Sequence, residues 1–316
     1  MQNNSSTGSN TNIMQLVQTY LDRLFTGEAN EAREGQVNRL DPVVFTQDTA
    51  TNAFVNSTVQ GNNGYFQTST NDVPTVTEDN VSAFNAKVTP VLNFLKNLPI
   101  SRTFMADQQL SSVSKSVKEM GKSWAATTDR NAVNVYANGF SSQTTVDGVA
   151  LFSDSHETAN GTTVDNLETG TLTDTNLNTV VNSLRKQLNQ SGVSIGYNPD
   201  FLFVPVALHR DGMAIAKSVL RAGGSNNDLN YWSEMFPGMK VVYNRFLDLS
   251  GTTNALTNYF VGAKGHGVTR FDREGYSSTM VDWQYNANDQ YMYKMRSREA
   301  VDSIYYSGLV GSNGTV

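Results

Sequence analysis

The strongest hydrophobic pattern runs from residue 107 to residue 138 and predicts one long helix. Residues of one face recur there at steps of three or four, the period of a helix packed on one side; they are Leu110, Val113, Val117, Met120, Trp124, Thr128, Ala132 and Val135. A helix of about 32 residues would be roughly 48 Å long, with Asp107 as its N-cap, Gly139 as its stop and Gly121 as a point where it can bend. This length exceeds that of most globular helices, so we expect a spine for the rest of the fold.

A shorter amphipathic helix is predicted over residues 13–25. Its apolar residues follow the same period; among them are Leu16, Tyr20 and Leu24. Gly27 is expected to end it. Residues 1–12 read as a polar, low-complexity tail, which cannot bury enough apolar surface to offset its ordering entropy.

Residues 27–98 show no compact helical pattern. Two segments, 52–59 and 85–91, look like short strands. An unstructured loop of this length is improbable inside a compact domain. Regularly spaced aromatic residues also disfavour plain disorder; they are Phe45, Phe54, Tyr65, Phe66, Phe84 and Phe94. We therefore interpret this stretch as an extended arm that needs a partner surface.

The second half of the chain alternates predicted helices and short strands. The predicted helices are 173–189 and 208–221, the second closed by Gly223 and Gly224, and the predicted strands are 200–206, 240–247 and 258–264. This order is typical of a compact α/β or α+β unit. Residues 290–306 alternate with period two and predict a strand with one aromatic and one basic face; the basic residues are Lys294, Arg296 and Arg298.

The composition limits the classes of function. Of 316 residues, 38% are hydrophobic and 16% are charged, and the net charge of −6 is too acidic for a generic nucleic-acid binder. The absence of Cys excludes disulfides, thiolate metal sites and Cys nucleophiles, and three His leave little for a metal centre. No apolar run reaches the roughly 18 residues of a membrane span. The residues after Met1 lack the basic and apolar parts of a signal peptide, so we expect a cytosolic origin.

The candidate catalytic groups are weak. Residues 153–156 (Ser-Asp-Ser-His) cluster in sequence, whereas catalytic triads assemble in space, so a polar turn is the preferred interpretation. Asp272 and Glu274 could act as acid and base, but their flanking arginines favour two solvated carboxylates. The glycine-dense turn 262–267 follows a strand, as phosphate loops do, yet no helical pattern follows it. We therefore expect no catalytic residue, no metal site and no cofactor.

The basic face of residues 290–306 allows two interpretations. It could contact phosphates or acidic residues of a neighbouring chain, and the net charge of −6 favours the second. A small core, a spine helix, an arm without a partner and a polar tail together suit an assembly subunit better than an enzyme.

A set of motifs, in the same order along the chain, resembles the major capsid protein of tailed double-stranded DNA phages, most nearly the Mu-like head subunits. The motifs are Glu119-Met120-Gly121-Lys122, Ala125-Ala126-Thr127-Thr128-Asp129, Gly139-Phe140, Asp147-Gly148 with Leu151-Phe152-Ser153 and His156, Pro199 with Leu202, Val204-Pro205 and Leu208, and Asn230-Tyr231-Trp232. The resemblance covers about residues 13–310. It departs at Glu157, where many relatives have proline, and in lacking a long N-terminal scaffolding segment, which implies a separate scaffolding protein or none.

The resemblance implies an α+β fold with five parts. These are an N-terminal arm (1–45), an extended E-loop (46–98), a peripheral domain with the spine helix (99–170), an axial domain (171–266) and a C-terminal return through both domains (267–316). In such a fold the E-loop lies over an adjacent subunit, and the tip of the axial domain meets the five- and six-fold centres.

The implied function is structural. Such a chain self-assembles into pentamers and hexamers of an icosahedral capsid that encloses double-stranded DNA without sequence-specific binding. It has no enzymatic activity, no cofactor and no membrane partner. Its expected partners besides itself are scaffolding, portal and decoration proteins. Its expected location is the virion, and the host cytoplasm during assembly.

The expected assembly contacts come from the arm, the loop, the axial domain and the basic strand. They are Leu16, Tyr20, Leu24, Phe66, Asp72, Val73, Pro74, Glu78, Asp79, Phe84, Asn226, Asn227, Trp232, Lys294, Arg296 and Arg298. We expect the loop acids to approach the basic strand of another subunit. Two alternatives stay open, an enzyme that uses the 171–266 block and a tail or adhesin subunit. The long helix counts against the last.

Overall fold

The structure, a computed structural model, describes residues 6–36, 43–61, 82–107, 110–220, 229–250, 252, 255–285, 288 and 290–315. Its α-helices are α1 (Ser6–Gln36), α2 (Arg102–Ala106), α3 (Leu110–Ala137), α4 (Asp174–Lys186), α5 (Val206–Lys217), α6 (Tyr231–Met235) and α7 (Arg245–Asp248). Its strands are β1 (Thr46–Thr49), β2 (Phe54–Gly61), β3 (Ser82–Pro90), β4 (Leu92–Ser101), β5 (His156–Glu157), β6 (Thr163–Val164), β7 (Leu167–Glu168), β8 (Phe201–Val204), β9 (Lys240–Tyr243), β10 (Tyr259–Gly262), β11 (Val268–Val281), β12 (Gln290–Ser303) and β13 (Leu309–Ser312). Among the described helices, none has the length and apolar character needed to cross a membrane.

The long helix predicted from the apolar pattern is α3, which has 28 residues. Its predicted inner face is buried; the buried side chains are Val113, Val117, Met120, Trp124, Thr128, Ala132 and Val135. The side chain of Leu110 lies outside the described residues. The prediction of Asp107 as N-cap is wrong, because Asp107 is the C-cap of the separate helix α2. Gly139 follows the helix and packs on Phe152, since a Cβ there would lie 2.7 Å from Phe152 Cδ2.

Helix α1 is longer than the sequence predicts. It has 31 residues, includes residues 6–12 of the predicted polar tail, and passes through Gly27 instead of ending there. Phe25 and Ala29, on either side of this glycine, are buried in one cluster with residues of α3. This tertiary packing outweighs the cost of about 1 kcal/mol for glycine inside a helix.

Gly121 lets α1 and α3 pack closely. A Cβ at this position would lie 2.9 Å from the backbone O of Phe25 and 3.3 Å from the backbone N of Ala29. α3 is one continuous helix through Gly121, from Leu110 to Ala137, and a bend at this glycine stays a prediction. The glycine serves close contact between two backbones.

The first sheet has four strands in the order β1-β11-β12-β4. β1 runs parallel to β11, and the other pairs are antiparallel. β12 corresponds to the predicted strand near the C-terminus and alternates buried and exposed residues as expected. Helices α1 and α3 cover one face of this sheet, where Met280, Tyr293 and Met295 join their apolar cluster.

The predicted arm is only partly an extended arm. The two strand-like segments are confirmed as β2 and β3, which pair antiparallel as a hairpin. Two other described parts of residues 27–98 belong to the body, because residues 27–36 continue α1 and the strands β1 and β4 form the two edges of the first sheet. Among the described strands of this stretch, β2 and β3 are therefore the two that do not belong to the first sheet.

The second sheet has five strands in the order β7-β13-β10-β8-β9. β8 and β10 are buried throughout, as their continuous apolar runs predict. Helices α4 and α5 pack on this sheet, with Leu177, Val181 and Ala216 in its core. β7 belongs to this sheet, so the sheet begins before the predicted domain boundary at residue 171.

Two predicted ends in this half are wrong. The helix predicted to residue 221 ends at Lys217, where Ser218 adopts extended backbone and its Oγ donates to the carbonyl of Ala214 at 2.6 Å. Gly223 and Gly224 lie outside the described residues. The strand predicted to residue 247 ends at Tyr243, because Asn244 Oδ1 accepts the N–H of Phe246 at 2.8 Å and starts α7.

One hydrophobic cluster joins the two sheets. It centres on Tyr136 of α3, whose ring centroid lies 5.2 Å from that of Phe203 in β8 and 5.3 Å from that of Phe260 in β10. The Tyr136 hydroxyl donates to the carbonyl of Val44 at 2.7 Å, and burial raises its pKa well above the ordinary value. The C-terminal end of α3 thus fixes the first sheet against the second.

Candidate interaction surfaces

The basic residues of β12 lie on the face of the first sheet that points away from α3. The intervening residue Ser297 points toward α3, where Trp124 Nε1 donates to its Oγ at 2.7 Å. Side chains alternate along a strand, so Lys294, Arg296 and Arg298 share the opposite face. We call these three residues the basic stripe.

The basic stripe is only partly compensated within the chain. Arg296 Nε lies 3.6 Å from Glu274 Oε2, but the two side chains are 48% and 39% exposed, and such pairs contribute about 0–1 kcal/mol. Lys294 is exposed. Within the described residues, Arg298 Nε is buried without a hydrogen-bond acceptor. The stripe therefore presents an excess of positive charge.

The two carboxylates considered as an acid–base pair are surface groups. Asp272 is 51% exposed at its side chain, and Glu274 pairs with the stripe. Sequence reasoning missed their buried neighbour. Arg270 is 1% exposed, and its Nη2 donates to Glu299 Oε2 at 2.5 Å. The sequence around Arg270 does not reveal this pair, because Glu299 lies on another strand and exposed acids stand close to Arg270 in β11.

The base of the β2–β3 hairpin is held by Asp302, another residue that the sequence did not single out. Lys87 Nζ lies 2.6 Å from Asp302 Oδ1 and donates to the carbonyl of Thr144 at 2.5 Å. Thr89 Oγ1 donates to Oδ2 of the same carboxylate. Gln143 Nε2 donates to its Oδ1 at 2.7 Å. We call this group the hairpin latch.

The face of the hairpin opposite Lys87 and Thr89 is exposed. Phe54 is 47% exposed and Val88 is 63% exposed, while Val55 packs near Phe271 and Ile304 at the base. The predicted loop contacts Phe66, Asp72, Val73, Pro74, Glu78 and Asp79 lie outside the described residues, as does the side chain of Phe84.

The outer side of α1 carries the predicted contacts Leu16 and Tyr20, which are 71% and 48% exposed. Leu24 is partly buried against the body of the same chain. The helix is tied to the first sheet by Asp22, whose Oδ1 accepts from Tyr293 Oη at 2.7 Å. Leu16 and Tyr20 therefore form an apolar surface on a helix with a fixed position.

The structure places Trp232 inside the subunit and not at its surface, where an assembly contact was expected. Its side chain is 1% exposed inside the core of the second sheet, and its Nε1 donates to Asp174 Oδ1 at 2.7 Å. Trp232 is the second residue of α6, and the N-cap Asn230 accepts its backbone N–H. This places the indole on the inner side of the helix. The exposed neighbours are Leu229 and Tyr231. Asn226 and Asn227 lie outside the described residues.

The local cluster at residues 153–156 has no triad geometry. Ser153 Oγ and Ser155 Oγ lie 2.9 Å apart. His156 is fully buried, and its Nδ1 lies 2.6 Å from Asp147 Oδ2. The sequence therefore indicated a polar turn correctly but missed a buried histidine–carboxylate pair.

The glycines of turn 262–267 serve packing. A Cβ at Gly262 would lie 2.2 Å from Phe201 Cζ, and one at Gly267 would lie 2.1 Å from the carbonyl O of Tyr305. The turn continues into β11, which supplies no helix N-terminus for a phosphate. In the described part of the chain, no group of three or more His, Asp or Glu side chains could hold a metal ion.

Comparisons with known proteins agree with this architecture. A family model described as "Phage capsid protein" matches residues 96–310. A search of curated proteins finds no match.

Solved structures share the fold over most of the chain. A virus-like particle from Pyrococcus furiosus is similar at a TM-score of 0.53 with 10% identity, over 93% of this chain and 98% of that chain. The capsid of an empty GTA particle gives 0.53 with 11% identity, over 88% and 90%. A phage-related protein from Bordetella bronchiseptica RB50 gives 0.52 with 9% identity, over 91% and 95%. At these identities the likeness concerns the fold alone.

Proposed function

The chain belongs to the phage capsid protein family, and from this premise we propose how its copies meet in the shell. Family membership makes it a structural subunit of a viral capsid, and the expected α+β tailed-phage capsid fold is confirmed. The Mu-like subgroup stays a prediction. We propose that the copies form hexamers and pentamers around double-stranded DNA, without enzymatic activity.

The observation that carries this proposal is the β2–β3 hairpin. A two-stranded hairpin alone is marginally stable in water. Here the described contacts that hold it to its own chain lie at its base, in the hairpin latch and around Val55. Phe54 and Val88 stay exposed on the face of the hairpin opposite Lys87 and Thr89. A neighbouring copy would bury such side chains at about 25 cal/mol per Å² of apolar surface.

The basic stripe is the proposed receiving surface. In the proposal, Asp72, Glu78 and Asp79 of one copy approach Lys294, Arg296 or Arg298 of another. The support is opposite charge and the open sheet face. Because exposed pairs contribute about 0–1 kcal/mol each, they would set register and partner choice more than affinity.

The remaining parts of the proposal follow the family. Residues 1–45 would serve as N-terminal arm, 46–98 as E-loop, 99–170 as peripheral domain, 171–266 as axial domain and 267–316 as the return. Scaffolding, portal and decoration proteins are proposed partners. Assembly would take place in the host cytoplasm and end in the virion.

A charge-reversal variant tests the stripe. We expect the purified wild-type chain, expressed alone or with its scaffold, to give closed shells or capsomers by electron microscopy and size exclusion. Lys294→Glu with Arg296→Glu should keep the subunit folded and impair shell formation. Lys186→Glu, which reverses one exposed charge at the end of α4, outside the stripe, is the control and should assemble.

Two outcomes would count against the proposal. Normal shells from the double variant would remove the stripe from the interface. A wild-type chain that stays a monomer, with the β2–β3 hairpin protected from protease, would show that the hairpin needs no neighbour.

A further inference from the structure

The chain passes between the two sheets three times, and these passages lie side by side. They are residues 138–166, from α3 to β7, residues 263–267, from β10 to β11, and residues 304–308, from β12 to β13. Backbone hydrogen bonds join them, including Val146 N to Ile304 O at 2.9 Å and Ala263 N to Gly308 O at 2.8 Å. We call this region the crossing.

His156 sits inside the crossing with both ring nitrogens facing acceptors. Nδ1 lies 2.6 Å from Asp147 Oδ2, and Nε2 lies 3.2 Å from the carbonyl O of Leu151. The ring is fully buried. A carbonyl can only accept, so Nε2 must carry a hydrogen. The remaining question is whether the proton between the ring and Asp147 belongs to nitrogen or to oxygen.

The surroundings of Asp147 place that proton on nitrogen. Asp147 Oδ1 accepts from Thr145 Oγ1 and from the N–H of Val149 at 3.0 Å, so the carboxylate is already solvated by donors. Burial would raise the pKa of Asp147, but the hydrogen bonds from His156 and Thr145 lower it below the ordinary value. An ionised Asp147 beside an Nδ1–H leaves the ring positively charged.

The stacking partner of His156 fits a cation. The Tyr306 ring lies 4.4 Å from the imidazole centroid at an interplanar angle of 22°. An aromatic face attracts a positive group. Burial raises the pKa of Tyr306, so its hydroxyl stays neutral. The other titratable groups nearby are Tyr197, beside Tyr306, and the exposed Asp154 and Glu157 on the histidine's own segment.

We propose that His156 is held as an imidazolium and that its pair with Asp147 locks the setting of the two sheets relative to each other. Asp147 follows Val146, whose N–H donates to the carbonyl of Ile304 directly after β12 of the first sheet. On the other side, the Leu151 carbonyl also accepts Asn166 Nδ2 at 2.8 Å, and the Asn166 carbonyl accepts the N–H of Gly311 in β13 at 3.0 Å. The charged ring therefore bridges groups tied to each sheet.

This role concerns geometry more than total stability. Buried ion pairs often add little net stability, because desolvation of both charges offsets their attraction. Their directional hydrogen bonds do fix one arrangement. The lock therefore goes beyond shell formation as such, because it acts inside each subunit and is independent of the basic stripe.

The charge of His156 can be read directly, because the chain has three His. We would label histidine with ¹⁵N in the full chain and record magic-angle-spinning spectra at neutral pH, with His156→Gln to assign the signal. The expected result is one ring with both nitrogens protonated that disappears in His156→Gln. A His156 ring with one unprotonated nitrogen would overturn the proposal.

Amide hydrogen exchange tests the lock. In Asp147→Asn and His156→Gln we expect the amides of Val146 and Gly311 to exchange about tenfold faster, while the cores of both sheets keep their protection. His209→Gln is the matched control, since His209 stacks on Tyr243 at 4.2 Å, away from the crossing. Unchanged exchange at Val146 and Gly311 in a folded Asp147→Asn variant would show that the pair locks nothing.

Discussion

Lys87 Nζ lies 2.6 Å from Asp302 Oδ1 and joins the β2–β3 hairpin to the end of β12. The two residues are 215 positions apart. The lysine side chain is 21% exposed and the aspartate side chain 3%, so the carboxylate depends on its donors. This pair therefore anchors the base of the hairpin to the end of β12.

Removing the lysine of the hairpin latch should loosen the hairpin. For Lys87→Met we expect a loss of about 2–3 kcal/mol in the free energy of unfolding, because a buried carboxylate loses its counter-charge. Limited proteolysis of the unassembled subunit should show faster cleavage within 50–90. Lys96→Met, whose ammonium lies at the surface and donates to the Ser123 hydroxyl at 3.3 Å, should stay within about 0.5 kcal/mol of wild type. Equal cleavage of both variants would contradict the latch.

Two glycines in packed helices should respond in opposite directions to alanine. Gly121→Ala should destabilise the subunit, by about 1–3 kcal/mol, because its Cβ would press on the α1 backbone. Gly27→Ala should stabilise it by up to about 1 kcal/mol, because nothing lies within 4 Å of a Cβ there. Denaturant unfolding of both variants measures this. Stabilisation by Gly121→Ala would mean that α1 does not pack here.

His266 should make the subunit sensitive to acid. Burial lowers its pKa to about 4, whereas an unfolded histidine titrates near about 6.5. Between about pH 6.5 and about pH 4, the unfolded chain binds a proton at His266 and the folded chain does not. The free energy of unfolding should therefore fall by up to about 3 kcal/mol as the pH is lowered.

His266→Asn provides the comparison for this pH dependence. His266 Nδ1 accepts the N–H of Val268 at 3.2 Å, and an asparagine oxygen can accept the same bond. Unfolding free energies measured from pH 7 to pH 4 should fall less steeply in this variant. Parallel curves for the two proteins would show that His266 does not contribute.

The buried Arg270 should be essential for the first sheet. Arg270→Met leaves Glu299, which is 5% exposed at its side chain, without this counter-charge and should cost about 3–5 kcal/mol. Arg296→Met, in an exposed pair, should cost at most about 1 kcal/mol in the unassembled subunit. Thermal unfolding compares the two, and a similar small loss in both would refute the internal role of Arg270.

The periodic pattern of apolar residues was enough to predict the helices and strands that bury one face. The stripe of α3 and the alternation of β12 are both present as predicted, because each pattern reports one buried face. The continuous apolar runs of β8 and β10 likewise predict buried strands. The ordered motifs likewise resemble the capsid family to which the chain belongs.

Tertiary structure alone decided where the elements end and which polar groups meet. Gly27 lies inside α1 because Phe25 and Ala29 pack on α3, a contact that local propensity does not contain. Trp232 faces inward because Asn230 caps the turn before it and Asp174 accepts its N–H. The pairs Lys87–Asp302 and Arg270–Glu299 join different strands, and Asp147 pairs with His156 across a turn. The sequence gives the charge of each residue, but only the folded chain determines which charged groups are buried next to each other.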